Sequence, residues 1–231
     1  LQRHWIHIKG IRQLYPFTSW SWNVLGMYFA LSTYAGWTVA TTPQSSSAGA
    51  AFVASHDNEW LFRITLILWE IAAPCALLVS AVVTYAIWPA TLKKLGNPGV
   101  LTTPVSLLQH NVNVIMALME VALLGGLPVH MRHISLPILF GVTYIFFTWS
   151  IRNVWNPRGG SAFLYFFLDT TLGTKTTTMA LFALLAALLL FYSIFSGIER
   201  VLQLDAVARF GLLGHVAIVV LLCATVCKVR P

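Results

Sequence analysis

The sequence predicts an all-α polytopic membrane protein, a single domain built as a bundle of six transmembrane helices. Three observations predict it. Of its 231 residues, 58% are hydrophobic and only 9% charged, against the roughly 25% charge of ordinary soluble domains, so there is too little polar surface to coat a water-soluble globule. Six windows hold the roughly 20 mostly apolar residues that a spanning helix needs. No segment shows the alternating pattern of a membrane barrel.

The first span is expected over Phe17–Val39, entered through Tyr15-Pro16-Phe17-Thr18-Ser19-Trp20-Ser21-Trp22. The second covers Ile64–Trp88 and contains Glu70 and one kink candidate, Pro74. The third, Pro104–Leu124, carries His110, Asn113 and Glu120. Ile134–Ile151 and Thr177–Gly197 are the fourth and fifth. Arg209–Cys227, with His215, is the sixth. Trp20, Trp22, Trp88, Trp149 and Trp155 stand near span ends, where amphipathic rings meet the headgroup layer.

Two connecting segments read as non-spanning. Thr41–Trp60, with its Thr-Thr-Pro-Gln-Ser-Ser-Ser run, is expected to be a flexible extracytosolic loop. Asn156–Thr176 combines Asn-Pro-Arg-Gly-Gly with a short aromatic patch, Phe163–Asp169. It is expected at the cytosolic interface, or re-entrant from it.

The net charge is +7. Its basic residues are scattered between apolar runs, which excludes a nucleic-acid surface. They set orientation instead, because cytosolic loops retain Lys and Arg. One side collects Arg3, Lys9, Arg12, Lys93, Lys94, Arg152, Arg158, Lys175, Lys228 and Arg230. The other holds Arg63, Arg132, Arg200 and Arg209, with the acids Asp57, Glu59, Glu199 and Asp205 read as belonging to its loops. Both termini are therefore expected on the cytosolic side. Cys75, Cys223 and Cys227 lie in apolar runs and form neither a disulfide framework nor a metal set. No metal and no cofactor is expected.

Ionisable groups within a span cost about 2.5–3.5 kcal/mol on insertion scales, so each is a candidate site. Glu70, His110, Glu120 and His215 are four. On the third span, His110, Asn113 and Glu120 share an arc of about 80° at 100° per residue, opposite Val112, Ile115 and Leu118. Thr18 stands at the mouth of the first span, and His110 about six residues into the third, roughly 9 Å deep. A hydroxyl and an imidazole at one depth have the parts of an activated nucleophile. Ordinary alternatives are a helix cap or interface residue for Thr18, a satisfied core histidine for His110, and interhelical hydrogen bonds for Asn113 and Glu120.

The chain resembles the androgen-induced protein family of integral-membrane fatty-acid-ester hydrolases, and within it the rolling-stone-like branch. The resemblance rests on Tyr15-Pro16-Phe17-Thr18-Ser19-Trp20 with Tyr28-Phe29, then His110-x-x-Asn113 with Glu120, then Leu127-Pro128-Val129-x-x-x-His133. Gly141-x-x-Tyr144-x-x-Phe147 and Tyr165-x-x-Leu168-Asp169 follow. Where the family's interfacial motif has Pro after its Tyr, this chain has Phe166. The resemblance implies that Thr18 is a nucleophile and His110 its general base in an intramembrane threonine hydrolase. The substrate would be a long-chain fatty-acyl ester drawn from the membrane lipids, with no cofactor. It leaves the oxyanion donors open; Asn113, one turn from His110, is the candidate. A non-catalytic accessory subunit of a larger membrane complex is the main alternative. A transporter fits less well, because no inverted repeat is visible.

Overall fold

The computed structural model describes residues 10–41, 56–152, 154, 163–204, 207 and 209–228. All regular structure among them is helical. The long elements are α1 (Phe17–Thr41), α2 (His56–Val82), α5 (Asn113–Leu123), α6 (Ser135–Ser150), α7 (Thr174–Leu202) and α8 (Gly211–Val226). A π-helical turn, Val83–Ile87, joins α2 to α3 (Trp88–Leu95). A second, Leu108–Val112, joins α4 (Pro104–Leu107) to α5.

Four helical stretches are long and apolar enough to cross a membrane: Glu59–Lys93, Pro104–Leu123, Met131–Ser150 and Thr174–Leu202. The two remaining predicted spans fall short for opposite reasons. The 25 residues of α1 suffice in length, but Thr, Ser and Asn interrupt their apolar run. In α8 the run is apolar but only 16 residues long, below the roughly 20 that span hydrocarbon unaided.

At the centre stands α2. Its apolar window is 72% buried within the molecule, against 17% for that of α7. It touches α1, α5, α6, α7 and α8. The sequence permits this through Ala72, Ala73 and Ala76, all wholly buried. Small side chains let helix backbones approach where lipid supplies no hydrophobic drive for association. Trp69, Tyr28, Leu25, Val114, Leu118, Tyr192 and Phe195 fill the space around them.

The helices alternate in direction. One end of the bundle gathers the start of α1, the π turn after α2, the start of the third span and the end of α8. There the carbonyls at and just beyond the end of α8, which no helical N–H can reach, accept bonds from other elements. Ser80 and Thr84 donate to the Val226 carbonyl at 3.0 and 2.6 Å, Tyr85 donates to that of Thr225, and Asn111 Nδ2 donates to that of Lys228 at 2.8 Å. The opposite end holds the turn from α5 to α6. Gly125, at φ +73°, lets the Gly126 N–H return to the Glu120 carbonyl at 2.9 Å, closing the end of α5.

Two expectations about the connections are revised, and a third gains detail. The Thr41–Trp60 loop is shorter than predicted, because helix already begins at His56; its residues 42–55 lie outside the described ones. The aromatic patch, from Phe163 on, packs against the bundle. Phe163 and Leu168 are buried, and two 3-10 turns, Phe166–Leu168 and Thr170–Leu172, dock it against α6 and α7. Its Tyr165 hydroxyl accepts the Phe17 N–H at 3.2 Å, satisfying an orphan donor at the start of α1. Burial pushes the Tyr165 phenol up, so it stays neutral. Glu199, finally, is not a loop acid. The last turns of α7 run past the predicted boundary and turn Glu199 inward.

Candidate functional site

Buried polar groups collect along the seam between α1 and the third span, and around the turn between α5 and α6. The turn is the more completely bonded. Glu70, wholly buried, accepts the His130 N–H at 2.9 Å and lies 2.6 Å from His133 Nδ1. Glu199 accepts the Val129 N–H at 2.7 Å and the Gln203 amide at 3.2 Å. Tyr192 and Ser196 donate to the carbonyls of His130 and Val129 at 2.7 and 3.0 Å. Four side chains of α2 and α7 thus hold an irregular backbone that has no helical partners of its own, as any chain buried from water requires. His215 shares a 3.3 Å contact with the Leu202 carbonyl. Cavities of about 410 and 140 Å³ open beside Glu199 and Gln203, but every polar group named here is already committed to holding the backbone or a neighbouring side chain.

The seam is different. Tyr28 Oη donates to Glu120 Oε1 at 2.7 Å, and both residues are buried. Glu120 therefore pairs across to α1 and not along its own helix with Asn113. The two helices run in the same direction, so this bond sets their register. Ser21 and Asn113 each stand seven residues before it; Thr18 and His110 each stand ten before it. Ten helical residues rise about 15 Å, so counting back from this bond puts the backbones of Thr18 and His110 at similar heights along their helices. α1 also contacts the turn Leu108–Val112, which contains His110.

At that level both side chains are half-buried. His110 Nδ1 lies 2.9 Å from Ser106 Oγ, one turn earlier on the same span. No hydrogen bond joins Thr18 to His110 among the described residues. One turn deeper, Ser21 Oγ and Asn113 Nδ2 are fully buried and without a hydrogen-bond partner, while Asn113 Oδ1 accepts the Val114 N–H at 2.7 Å. A buried unpaired donor costs about 1–3 kcal/mol. Among the described residues the Trp69 and Trp88 indole N–H groups are likewise buried without a partner.

Sequence reasoning singled out Thr18, His110, Asn113 and Glu120; the structure buries Asn113 and Glu120 and bonds Glu120 to α1 through Tyr28, and it leaves Thr18 and His110 half-buried. Sequence reasoning missed Tyr28 as the partner of Glu120, because a tyrosine in an apolar span reads as packing. It also missed Ser106, although the spacing of four residues to His110 was visible. Among the described residues no cluster of His, Cys, Asp and Glu has the form of a metal site.

Fold and seam together define a class: an all-helical protein with four membrane-length apolar helices and a polar seam between two of its helices. No family model, curated protein or solved structure matches the chain.

Proposed function

We propose that the chain is a six-span membrane protein with both termini in the cytosol, and that it hydrolyses long-chain fatty-acyl esters with Thr18 as nucleophile and His110 as general base. The observation that supports the proposal is the Tyr28–Glu120 bond between α1 and α5, from which Thr18 and His110 each stand ten residues back along their helices. The resemblance to the androgen-induced family at both positions supports it. So do the unpaired donors of Ser21 and Asn113 one turn away.

In this reading Thr18 Oγ loses its proton to His110 Nε2 as it attacks the acyl carbon. The bond from acyl carbon to alkoxy oxygen breaks, and the imidazolium returns the proton to the leaving alcohol. Water then adds to the acyl-threonine, giving a proton to His110. Thr18 Oγ leaves and takes the proton back, freeing the fatty acid. Asn113 Nδ2, with Ser21 Oγ, donates to the carbonyl oxygen as it becomes negative; such donors act strongly where water is excluded.

The direct test is hydrolysis of a long-chain acyl ester by the purified protein at equal folded amounts. Thr18→Ala and His110→Ala each abolish the rate, the double variant loses little more because the pair acts as one unit, and Thr18→Ser retains part of it. Equal rates for wild type and Thr18→Ala would falsify the assignment. A wild type with no rate to lose, whose variants are only less stable, leaves the accessory-subunit reading.

A further inference from the structure

The geometry points to Ser106 as a positioning residue that fixes the tautomer and orientation of His110, completing a Thr18–His110–Ser106 relay; this inference rests on the reading above. Helical side chains lean toward the helix N-terminus. The His110 ring therefore tilts back toward the end of the bundle where α1 begins, and its Nδ1 meets Ser106 Oγ at 2.9 Å. Ser106 is itself held: its backbone N–H donates to Thr103 Oγ1 at 3.3 Å, the N-cap of α4. The ring stands on the π-helical turn Leu108–Val112, a form found mostly as single-turn insertions, frequently at functional sites.

The bond has two senses, and they have opposite consequences. If Ser106 donated to Nδ1, the ring proton would sit on Nε2 and no lone pair would face away from Ser106. If Nδ1–H donates to Ser106 Oγ, Nε2 carries the free lone pair. Only the second lets Nε2 take the Thr18 proton. Ser106 then continues to accept Nδ1–H while the ring is an imidazolium, so the relay needs no second proton transfer. A neutral hydroxyl stabilises that cation less than a carboxylate does. Its main effect is to select the tautomer.

The test uses the full chain in detergent micelles, labelled with ¹⁵N histidine. His110→Gln identifies the His110 signals among the seven histidines. In the wild type, His110 is expected to carry its proton on Nδ1. Ser106→Ala is expected to move the population toward Nε2–H, and Ser106→Thr, which keeps the hydroxyl, to restore it. In the ester assay Ser106→Ala lowers kcat at least about tenfold with little change in KM, short of the roughly 10⁴-fold cost of a ring locked in the wrong tautomer; Ser106→Thr recovers the rate. A wild-type ring protonated on Nε2, or a tautomer unmoved in Ser106→Ala, overturns the positioning role. So does a fluorophosphonate adduct on Ser106 in place of Thr18, since that would make Ser106 the nucleophile. A wild type without hydrolysis overturns the hydrolase reading instead, and the nitrogen spectrum separates that failure from the other.

Discussion

Asn113 is divided between two roles. Its Oδ1 is tied to the Val114 N–H, which fixes the amide plane, and its Nδ2 is left buried without a partner. An unpaired buried donor is costly, and the amide leaves this one free to meet a substrate oxygen. Asn113→Ala is therefore expected to cost little stability, because it removes the unsatisfied donor along with one short-range bond. The same change should lower kcat about 10²- to 10³-fold, the usual loss of one oxyanion donor. Ester kinetics and thermal unfolding on the same preparation check this. A large fall in stability with kcat unchanged would assign Asn113 to packing alone.

At the level of elements, the seam depends on one interhelical bond. Tyr28 and Glu120 join α1 to α5 at 2.7 Å. Tyr28→Phe leaves a buried carboxyl without its donor and is expected to destabilise the bundle by about 1–3 kcal/mol. Glu120→Gln keeps an acceptor for the phenol and should cost less. The double change Tyr28→Phe with Glu120→Leu removes both polar partners, so it should recover much of the loss. Thermal unfolding in detergent ranks the three variants. If the single Tyr28 variant proves as stable as wild type, the bond does not hold the helices in register.

At the level of the whole molecule, the alternating helices put the Asn97 and Arg132 regions at opposite ends of the bundle. Both residues are exposed. In a background lacking Cys75, Cys223 and Cys227, single cysteines at 97 and 132 should label from opposite faces of a sealed vesicle. The positive-inside pattern puts position 97 in the cytosol. Labelling of both from one face would rule out the six-span arrangement.

Much of the helical fold was legible in the residues. Apolar run length is a local property, and a span longer than about 20 such residues announces itself; the boundaries of Pro104–Leu124 and Ile134–Ile151 lie within a residue of the helices found. The inward turn of Glu70 and Glu120 also followed from cost alone, since a carboxyl facing lipid is expensive wherever it sits. What pairs with each carboxyl was not local. His133 and Tyr28 lie 63 and 92 residues from the acids they bond, and such distances are closed only when helices pack. Glu199 read as a loop acid because the polar run Glu199-Arg200 ends the apolar stretch, whereas the folded chain uses that last turn to hold the Val129 backbone. Sequence alone determined which side chains had to leave the lipid. Tertiary structure decided their partners, because register between helices is set by contacts that neither helix encodes by itself.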